Sequence, residues 1–143
     1  MKNILIVILL LLPITAMAET LPKMTVWKSP SCGCCGNWIN HMKAAGFQVE
    51  IKNVEEMQSV KTQSRIPENL RSCHTAKVGG YLIEGHVPAA DVKRLLAEKH
   101  ITRGLAVPGM PSGSPGMENG EHDPYNVVTF DKNGVTSIFS KHR

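Results

Sequence analysis

Apolar and polar residues follow a regular pattern in the first half of the chain after residue 20, and this pattern predicts its elements. Met24–Trp27 is a short β-type run, and apolar residues then recur at helical spacing over Trp38–Ala45, where Gly46 is placed to end a helix. Residues 47–52 alternate between apolar and polar side chains, which is typical of a half-buried strand. We therefore expect a βαβ unit with parallel strands and a right-handed crossover.

The second half is predicted to add a hairpin and a further helix. Ala76–Val78 and Tyr81–Ile83 flank Gly79-Gly80, a two-residue hairpin signal. Pro88 is well placed as the first residue of a helix, and residues 89–96 carry an apolar stripe. The order βαβ–ββα, with cysteines at the first strand–helix junction, predicts an α/β fold with a thioredoxin-like core.

A long Gly/Pro/Met loop and an extra C-terminal β-hairpin are predicted after this core. Residues 104–123 are rich in Gly, Pro, Ser and Met, and they include Pro-Gly-Met triplets at 108–110 and 115–117. A loop of about 20 residues without its own secondary structure is unusual in a compact domain and is often functional. Tyr125–Phe130 and Val135–Phe139 are then expected to pair as the hairpin.

The first residues have the pattern of a secretory signal. Lys2 precedes an apolar run over Ile4–Leu12, and Ala16-Met17-Ala18 follows as a small-residue cleavage site. The apolar run is much shorter than the ~20 residues that span a bilayer. We expect cleavage of residues 1–18 and a mature single domain over residues 19–143 that is free of the membrane. The expected location is the periplasm of a Gram-negative bacterium, with a cell surface as the alternative.

Charge and composition exclude little beyond nucleic-acid binding. The formal net charge is +4, and the basic residues form no run and do not alternate with aromatic residues. Proteins that bind nucleic acid usually carry a concentrated basic patch. We therefore expect no nucleic-acid partner.

The segment Ser31-Cys32-Gly33-Cys34-Cys35-Gly36 is the strongest candidate for chemistry. Cys32 and Cys35 have C-x-x-C spacing, and Cys34 adds a third sulfur between them. At the start of a helix, backbone N–H groups and the helix dipole favour the thiolate over the thiol. A thiolate is both the nucleophile of disulfide exchange and a soft ligand for Cu(I), Zn(II) or iron–sulfur clusters. Metal binding therefore competes with a metal-free thiol–disulfide oxidoreductase that uses Cys32 and Cys35.

Structural disulfides, zinc and iron–sulfur are the remaining alternatives. Cysteines in an oxidising compartment usually form crosslinks, but Cα atoms of the neighbours Cys34 and Cys35 are ~3.8 Å apart, below the usual ~4.4–6.8 Å. A Cys32–Cys35 bond would close only a small loop and stabilise little. Zinc prefers separated ligand pairs, and export before cluster assembly disfavours iron–sulfur. The pattern favours unpaired thiolates that form a site.

Further soft donors come from the second half of the chain. In a thioredoxin-like layout, Cys73 precedes a strand at the turn that faces the start of the first helix, with His74 beside it. His86 lies at a predicted strand–helix turn, while Met110 and Met117 belong to the Gly/Pro loop. Thioether sulfur suits Cu(I). The alternative for Cys73 is a small buried residue, and the alternative for Met110 and Met117 is a loop that folds its methionines onto the core.

The chain resembles the CopG family of bacterial periplasmic copper-resistance proteins. The segments that carry the resemblance are residues 26–36, 71–75, 79–91, 104–111 and 113–118. The resemblance implies a thioredoxin-like fold with a cysteine-bridged, multinuclear copper cluster and a role in copper resistance with cycling between Cu(I) and Cu(II). It places the family's cysteines on Cys32, Cys34, Cys35 and Cys73, and leaves open which of His74, His86, Met110 and Met117 complete the site. It also leaves open whether the chain is a copper oxidoreductase. Copper ions are the expected cargo, and other periplasmic copper-handling proteins the expected partners.

Overall fold

The computed structural model describes residues 20–143, so the predicted signal at residues 1–18 lies outside the described residues. Over this range the chain forms a mixed sheet of seven strands with three α-helices and one 3₁₀ helix. The strands are β1 Met24–Lys28, β2 Val49–Asn53, β3 Thr75–Val78, β4 Tyr81–Glu84, β5 Gly104–Ala106, β6 Tyr125–Phe130 and β7 Thr136–His142. The helices are α1 Gly33–Ala44, α2 Met57–Gln63 and α3 Ala89–Glu98, and the 3₁₀ helix is Glu68–Leu70. Among these described helices, none combines the length and apolar character needed to cross a bilayer.

The strand order brings the ends of β1, β3 and β4 together. The sheet runs β2-β1-β3-β4-β5-β6-β7, with β1 parallel to β2 as predicted for the βαβ unit. β3 is antiparallel to both β1 and β4, so that Thr75 pairs with Trp27 on one side and with Glu84 on the other. Residues just before β3 therefore lie beside those that follow β1 and β4.

The predicted loop over residues 104–123 begins with a strand, which corrects the expectation that this segment has no secondary structure of its own. β5 lies between β4, to which it is parallel, and β6, to which it is antiparallel. Gly104 permits this insertion, because a Cβ atom there would lie 1.9 Å from the Leu82 carbonyl oxygen. A strand of three residues next to glycine and proline is too short to show an alternating pattern.

Helices α1 and α3 contribute to one main hydrophobic core with the sheet. Trp38 and Met42 of α1 are fully buried in it, together with Val92 and Leu95 of α3. The α1 stripe is the one predicted from sequence, and it lies directly after the cysteine segment. Packing of α1 therefore fixes the start of that helix relative to the sheet.

The C-terminal strands are joined to α3 by polar and aromatic contacts. The Arg94 guanidinium lies 3.6 Å from the Phe139 ring centroid, and its Nη2 donates to the Phe139 carbonyl oxygen at 2.8 Å. His142 Nε2 lies 2.7 Å from Asp91 Oδ2 and the His142 ring stacks on Tyr125 at a centroid distance of 4.9 Å. β7 is thus held by side chains as well as by its ladder with β6.

Tyr125 gives a pH test of this packing. Burial raises the pKa of Tyr125 to about 12, and the charges of Asp91 and Glu118 add to the rise. Because the pKa is about 10 in the unfolded chain, the protonated phenol stabilises the fold below about pH 10, and this contribution is lost as the pH rises towards 12. We expect phenolate absorbance to show one late tyrosine ionisation, which Tyr125→Phe removes. A late step that survives in Tyr125→Phe would contradict the assignment.

Candidate metal centre

Local hydrogen bonds place the first three cysteines at the start of α1. The Cys32 N–H donates to the Ser29 carbonyl oxygen at 3.1 Å, and the ammonium of Lys28, a largely buried side chain, donates to the same oxygen at 2.7 Å. Cys32 is the N-cap of α1, and its Sγ accepts from the Cys35 N–H at 3.3 Å. The first turn of α1 carries no acidic side chain, so no carboxylate of that turn lies beside the cysteines.

The structure brings the four cysteines together. Their Sγ atoms all lie within 4.8 Å of one another. Cys34 is central, with its Sγ 3.5 Å from Cys32 Sγ and 3.7 Å from Cys73 Sγ. Cys73 is 39 residues beyond Cys34 in sequence, and it reaches the cluster because it precedes β3, which lies beside β1.

Two of the sulfurs are bonded to each other, which corrects the expectation of unpaired thiolates. Cys32 and Cys35 form a disulfide, and their Cα atoms are 5.4 Å apart. The C-x-x-C spacing at a helix start sets that separation, which lies within the range of ordinary disulfides. Cys34 and Cys73 are free thiols. A metal that uses all four sulfurs therefore requires prior two-electron reduction of this disulfide.

Cys73 contacts two further soft donors. Its Sγ lies 2.8 Å from Met110 Sδ and 3.5 Å from His86 Nε2. Met110 is 54% exposed, so this side of the cluster opens to solvent. Burial raises the pKa of Cys73 to about 11, and the hydrogen bond and charge of Cys34 act in the same direction. Cys73 is thus a neutral thiol at neutral pH, and a metal has to displace its proton.

A backbone contact sets the tautomer of His86. His86 Nδ1 lies 2.8 Å from the Pro115 carbonyl oxygen, which can only accept, so Nδ1 carries the proton. The lone pair of Nε2 then points towards Cys73 Sγ. A ring nitrogen oriented in this way by its partner is the usual arrangement of a histidine ligand. Burial lowers the pKa of His86, which keeps the ring neutral and able to bind a metal.

His74 lies in the buried layer behind the sulfurs. Its ring centroid is 4.3 Å from that of Trp38 and 5.2 Å from that of His86. Within residues 20–143, neither ring nitrogen of His74 has a hydrogen-bond partner. Burial, assisted by the electrostatic interaction with His86 and by the positive charge of Lys61, holds the pKa of His74 well below its ordinary value. His74 is therefore a neutral donor with both nitrogens uncommitted.

Met117 does not share the contacts of Met110. Cys73 donates its hydrogen bond to Met110 Sδ, whereas the interaction seen for Met117 is through its backbone N–H, which donates to the Ser114 carbonyl oxygen at 2.8 Å. The segment before it instead covers α1. A Cβ on Gly116, whose φ is +90°, would lie 2.7 Å from the Cys34 carbonyl oxygen and 2.8 Å from the Trp38 nitrogen.

Sequence reasoning missed the contributions of Pro115 and Gly116. Pro115 orients His86 through its carbonyl oxygen, and Gly116 allows the loop to rest on the backbone of α1. The Pro-Gly-Met triplet at 115–117 marked this segment in the sequence, but the contribution predicted from it was the methionine sulfur. The same triplet supplies its backbone to the site, and the first triplet supplies its methionine sulfur.

Known proteins with this architecture include copper resistance proteins. Two solved structures described as copper resistance protein CopG, form 2 and form 1, are each 41% identical to this chain. Form 2 has a TM-score of 0.81, with 87% of this chain and 100% of that chain covered; form 1 has a TM-score of 0.79, with 85% and 98% covered. A family model described as a protein of unknown function, DUF411, matches residues 70–117. No curated protein matches the chain.

Proposed function

Since the chain belongs to the CopG family of copper resistance proteins, we propose that it binds copper ions as cargo at the four-cysteine cluster and acts in copper resistance. The observation that carries this proposal is the mutual proximity of the four sulfurs, which all lie within 4.8 Å. Soft thiolate and thioether donors, together with imidazole, form a donor set that suits Cu(I). Cys32, Cys34, Cys35 and Cys73 are the proposed thiolate ligands, with His86 and Met110 beside Cys73.

We propose that the cluster holds more than one copper ion once its disulfide is reduced. Cys34 and Cys35 are sequence neighbours, and two adjacent side chains can hardly chelate one tetrahedral ion. A thiolate that bridges two Cu(I) ions avoids this difficulty, and Cys34 lies between two other sulfurs. His74 and Met117 are reserve donors: the ring nitrogens of His74 have no hydrogen-bond partner within the described residues, and Met117 directly follows Gly116, which rests on the backbone of α1.

Release of the cargo is proposed to occur on the side of Met110. This side chain is more than half exposed and touches Cys73, so a second copper-handling protein could reach the ion there. Cycling between Cu(I) and Cu(II), which the family resemblance implies, would pass one electron per ion to an external acceptor. A periplasmic location, which the signal pattern at residues 1–18 supports, would place the protein where copper enters the cell.

The fold itself is proposed to be thioredoxin-like in the part that carries the site. The order β2-β1-β3-β4, with α1 after β1 and α3 after β4, is the arrangement expected from the βαβ–ββα pattern. β5, β6 and β7 extend this sheet, and the antiparallel pair β6–β7 corresponds to the proposed C-terminal hairpin within a single domain over residues 19–143.

The Cys32–Cys35 disulfide supports a second candidate function, a metal-free thiol–disulfide oxidoreductase. A disulfide at the start of a helix is the oxidised form of such a site. Cys34, Cys73 and Met110 have no task in that chemistry, although they contact one another around the same cluster. We therefore rank copper binding first.

Metal loading distinguishes the two functions. The protein spanning residues 19–143 is first reduced, and the reductant is then removed under anaerobic conditions. The reduced protein is loaded with Cu(I) or Zn(II), with and without prior treatment with iodoacetamide. We expect more than one tightly held copper per chain, and loss of this binding after alkylation of the thiols. Stoichiometric zinc that resists exchange by copper would refute the copper site. Reduction of insulin disulfides by the metal-free protein would instead support the oxidoreductase.

A further inference from the structure

A buried carboxylate lies beneath the turn that carries Cys73. Glu84, the last residue of β4, is fully buried. Its Oε1 accepts from the Ser72 N–H at 2.7 Å, and its Oε2 accepts from the Thr75 hydroxyl at 2.6 Å. Ser72 and Thr75 bracket Cys73 and His74 in sequence. The Glu84 carboxylate thus fixes the backbone N–H of Ser72, just before Cys73 and His74, and the side chain of Thr75, just after them.

Lys61 of α2 makes a buried carboxylate tolerable here. Its side chain is 2% exposed, and its Nζ lies 2.5 Å from Glu84 Oε1 and 3.1 Å from Thr75 Oγ1. A buried ion pair of this kind is weak evidence for stability, because an apolar pair of similar volume is often equally stable. An apolar pair, by contrast, could not accept the hydrogen bonds that Glu84 receives from Ser72 and Thr75. The geometry of the Ser72 and Thr75 contacts is therefore the property that the pair provides.

We propose that Glu84 is a positioning residue for the metal centre, whose carboxylate fixes the turn that presents Cys73 Sγ to Cys34 Sγ. Only Gly85 separates Glu84 from His86, and the Gly85 N–H donates to the His74 carbonyl oxygen at 3.1 Å. The same contacts therefore also set the distance from Cys73 to His86. The consequence for copper rests on the proposed function, whereas the position of Cys73 can be measured without metal.

Two double variants separate positioning from stability. Lys61→Met with Glu84→Gln removes both charges and keeps a side-chain carbonyl that can accept from the Ser72 N–H. Lys61→Met with Glu84→Leu removes both charges at similar volume and also removes that acceptor. A purely structural role predicts the same behaviour for both variants at Cys73, whereas a positioning role predicts a difference.

The metal-free measurement uses the equilibrium for forming a Cys34–Cys73 disulfide to report how close the two sulfurs lie. Both double variants are made in a chain with Cys32→Ser and Cys35→Ser, which leaves Cys34 and Cys73 as the two cysteines of the sequence. Their equilibrium with a glutathione redox buffer reports how well the folded chain holds the two sulfurs together. We expect the glutamine variant to match its parent, and the leucine variant to form this disulfide about tenfold less favourably, which corresponds to about 1.4 kcal/mol.

Asp91→Asn in the same background is the matched control. Asp91 is another buried carboxylate, with an ion pair to Arg94 at 3.7 Å and a contact of 2.7 Å to His142 Nε2, but it lies on α3 and not beside the Cys73 turn. We expect it to lower the unfolding midpoint without changing the disulfide equilibrium. If the leucine variant does not fold, Thr75→Val, which removes one hydrogen bond of the same carboxylate, should shift the equilibrium in the same direction.

Copper loading of the variants with all cysteines present completes the test. Equal disulfide equilibria in the leucine and glutamine variants would overturn the positioning role, even if both bind copper normally. A wild-type protein that binds no copper, with the expected difference between the two variants, would refute the proposed function while leaving the positioning of Cys73 supported. We expect reduced loading in the leucine variant alone.

Discussion

Replacing Cys34 by serine is expected to lower copper loading of the reduced protein from more than one ion per chain to at most one. Cys34 Sγ lies between Cys32 Sγ and Cys73 Sγ, at 3.5 and 3.7 Å, so it is the sulfur best placed to bridge two ions. A serine hydroxyl is a hard, neutral donor that binds Cu(I) poorly. Copper per chain, measured by elemental analysis after removal of free metal, checks this expectation.

The C-x-x-C pair provides an internal control for the Cys34 variant. Cys32 and Cys35 remain in place, so their disulfide exchange with a small thiol should stay close to that of the wild type. Loss of both copper and exchange would indicate a damaged helix start rather than a missing bridge. Wild-type loading in Cys34→Ser would refute the bridging role.

Gly116→Ala is expected to destabilise the fold and weaken copper binding together. At a φ of +90°, an alanine costs about 1–2 kcal/mol in backbone strain. Its Cβ would also lie 2.7 Å from the Cys34 carbonyl oxygen, and overpacking of this kind typically costs about 1–3 kcal/mol more. Movement of the loop would withdraw the Pro115 carbonyl from His86 Nδ1. Urea unfolding and a competition assay for Cu(I) measure the two effects.

Gly120→Ala is the matched control for this loop. Gly120 has a φ of +88°, and a Cβ there would meet nothing within 4 Å. The Gly120→Ala variant should therefore lose only the stability that corresponds to backbone strain, and it should keep the copper affinity of the wild type. Equal destabilisation by the two substitutions would show that the loop does not depend on its contact with Cys34.

The convergence of the cysteines follows from the order of elements, which the sequence pattern indicates. Alternation and helical spacing predict β1, α1, β2, β3 and β4, and a mixed sheet of these strands brings the residue before β3 next to the start of α1. Cys73 could therefore be placed from sequence although it is distant along the chain. The Cys32–Cys35 bond could not, because spacing permits a disulfide without deciding whether the sulfurs are oxidised.

The sequence pattern did not predict the contacts that depend on single atoms. Glu84 ends a strand in which polar residues would ordinarily face solvent, and only the fold reveals that Lys61 covers it. Pro115 acts through a carbonyl oxygen that every residue possesses, so its type carries no signal for the contact with His86. β5 was missed because Gly104 weakens a strand pattern, although its missing side chain is what allows the close approach to β4.

Cys34 and Cys73 are 39 positions apart in sequence, and this separation makes the lifetime of the protein depend on whether copper is bound. In the unfolded state the cysteines at residues 32–35 could still capture an ion, but adding Cys73 means closing a long loop, at an entropic cost of about 3 kcal/mol. Copper held by all four sulfurs, as proposed, would bind the native state in preference and shift the equilibrium towards it by mass action. Proteases that attack opened chains would then remove empty molecules faster than loaded ones, and metal supply would set how long each molecule survives.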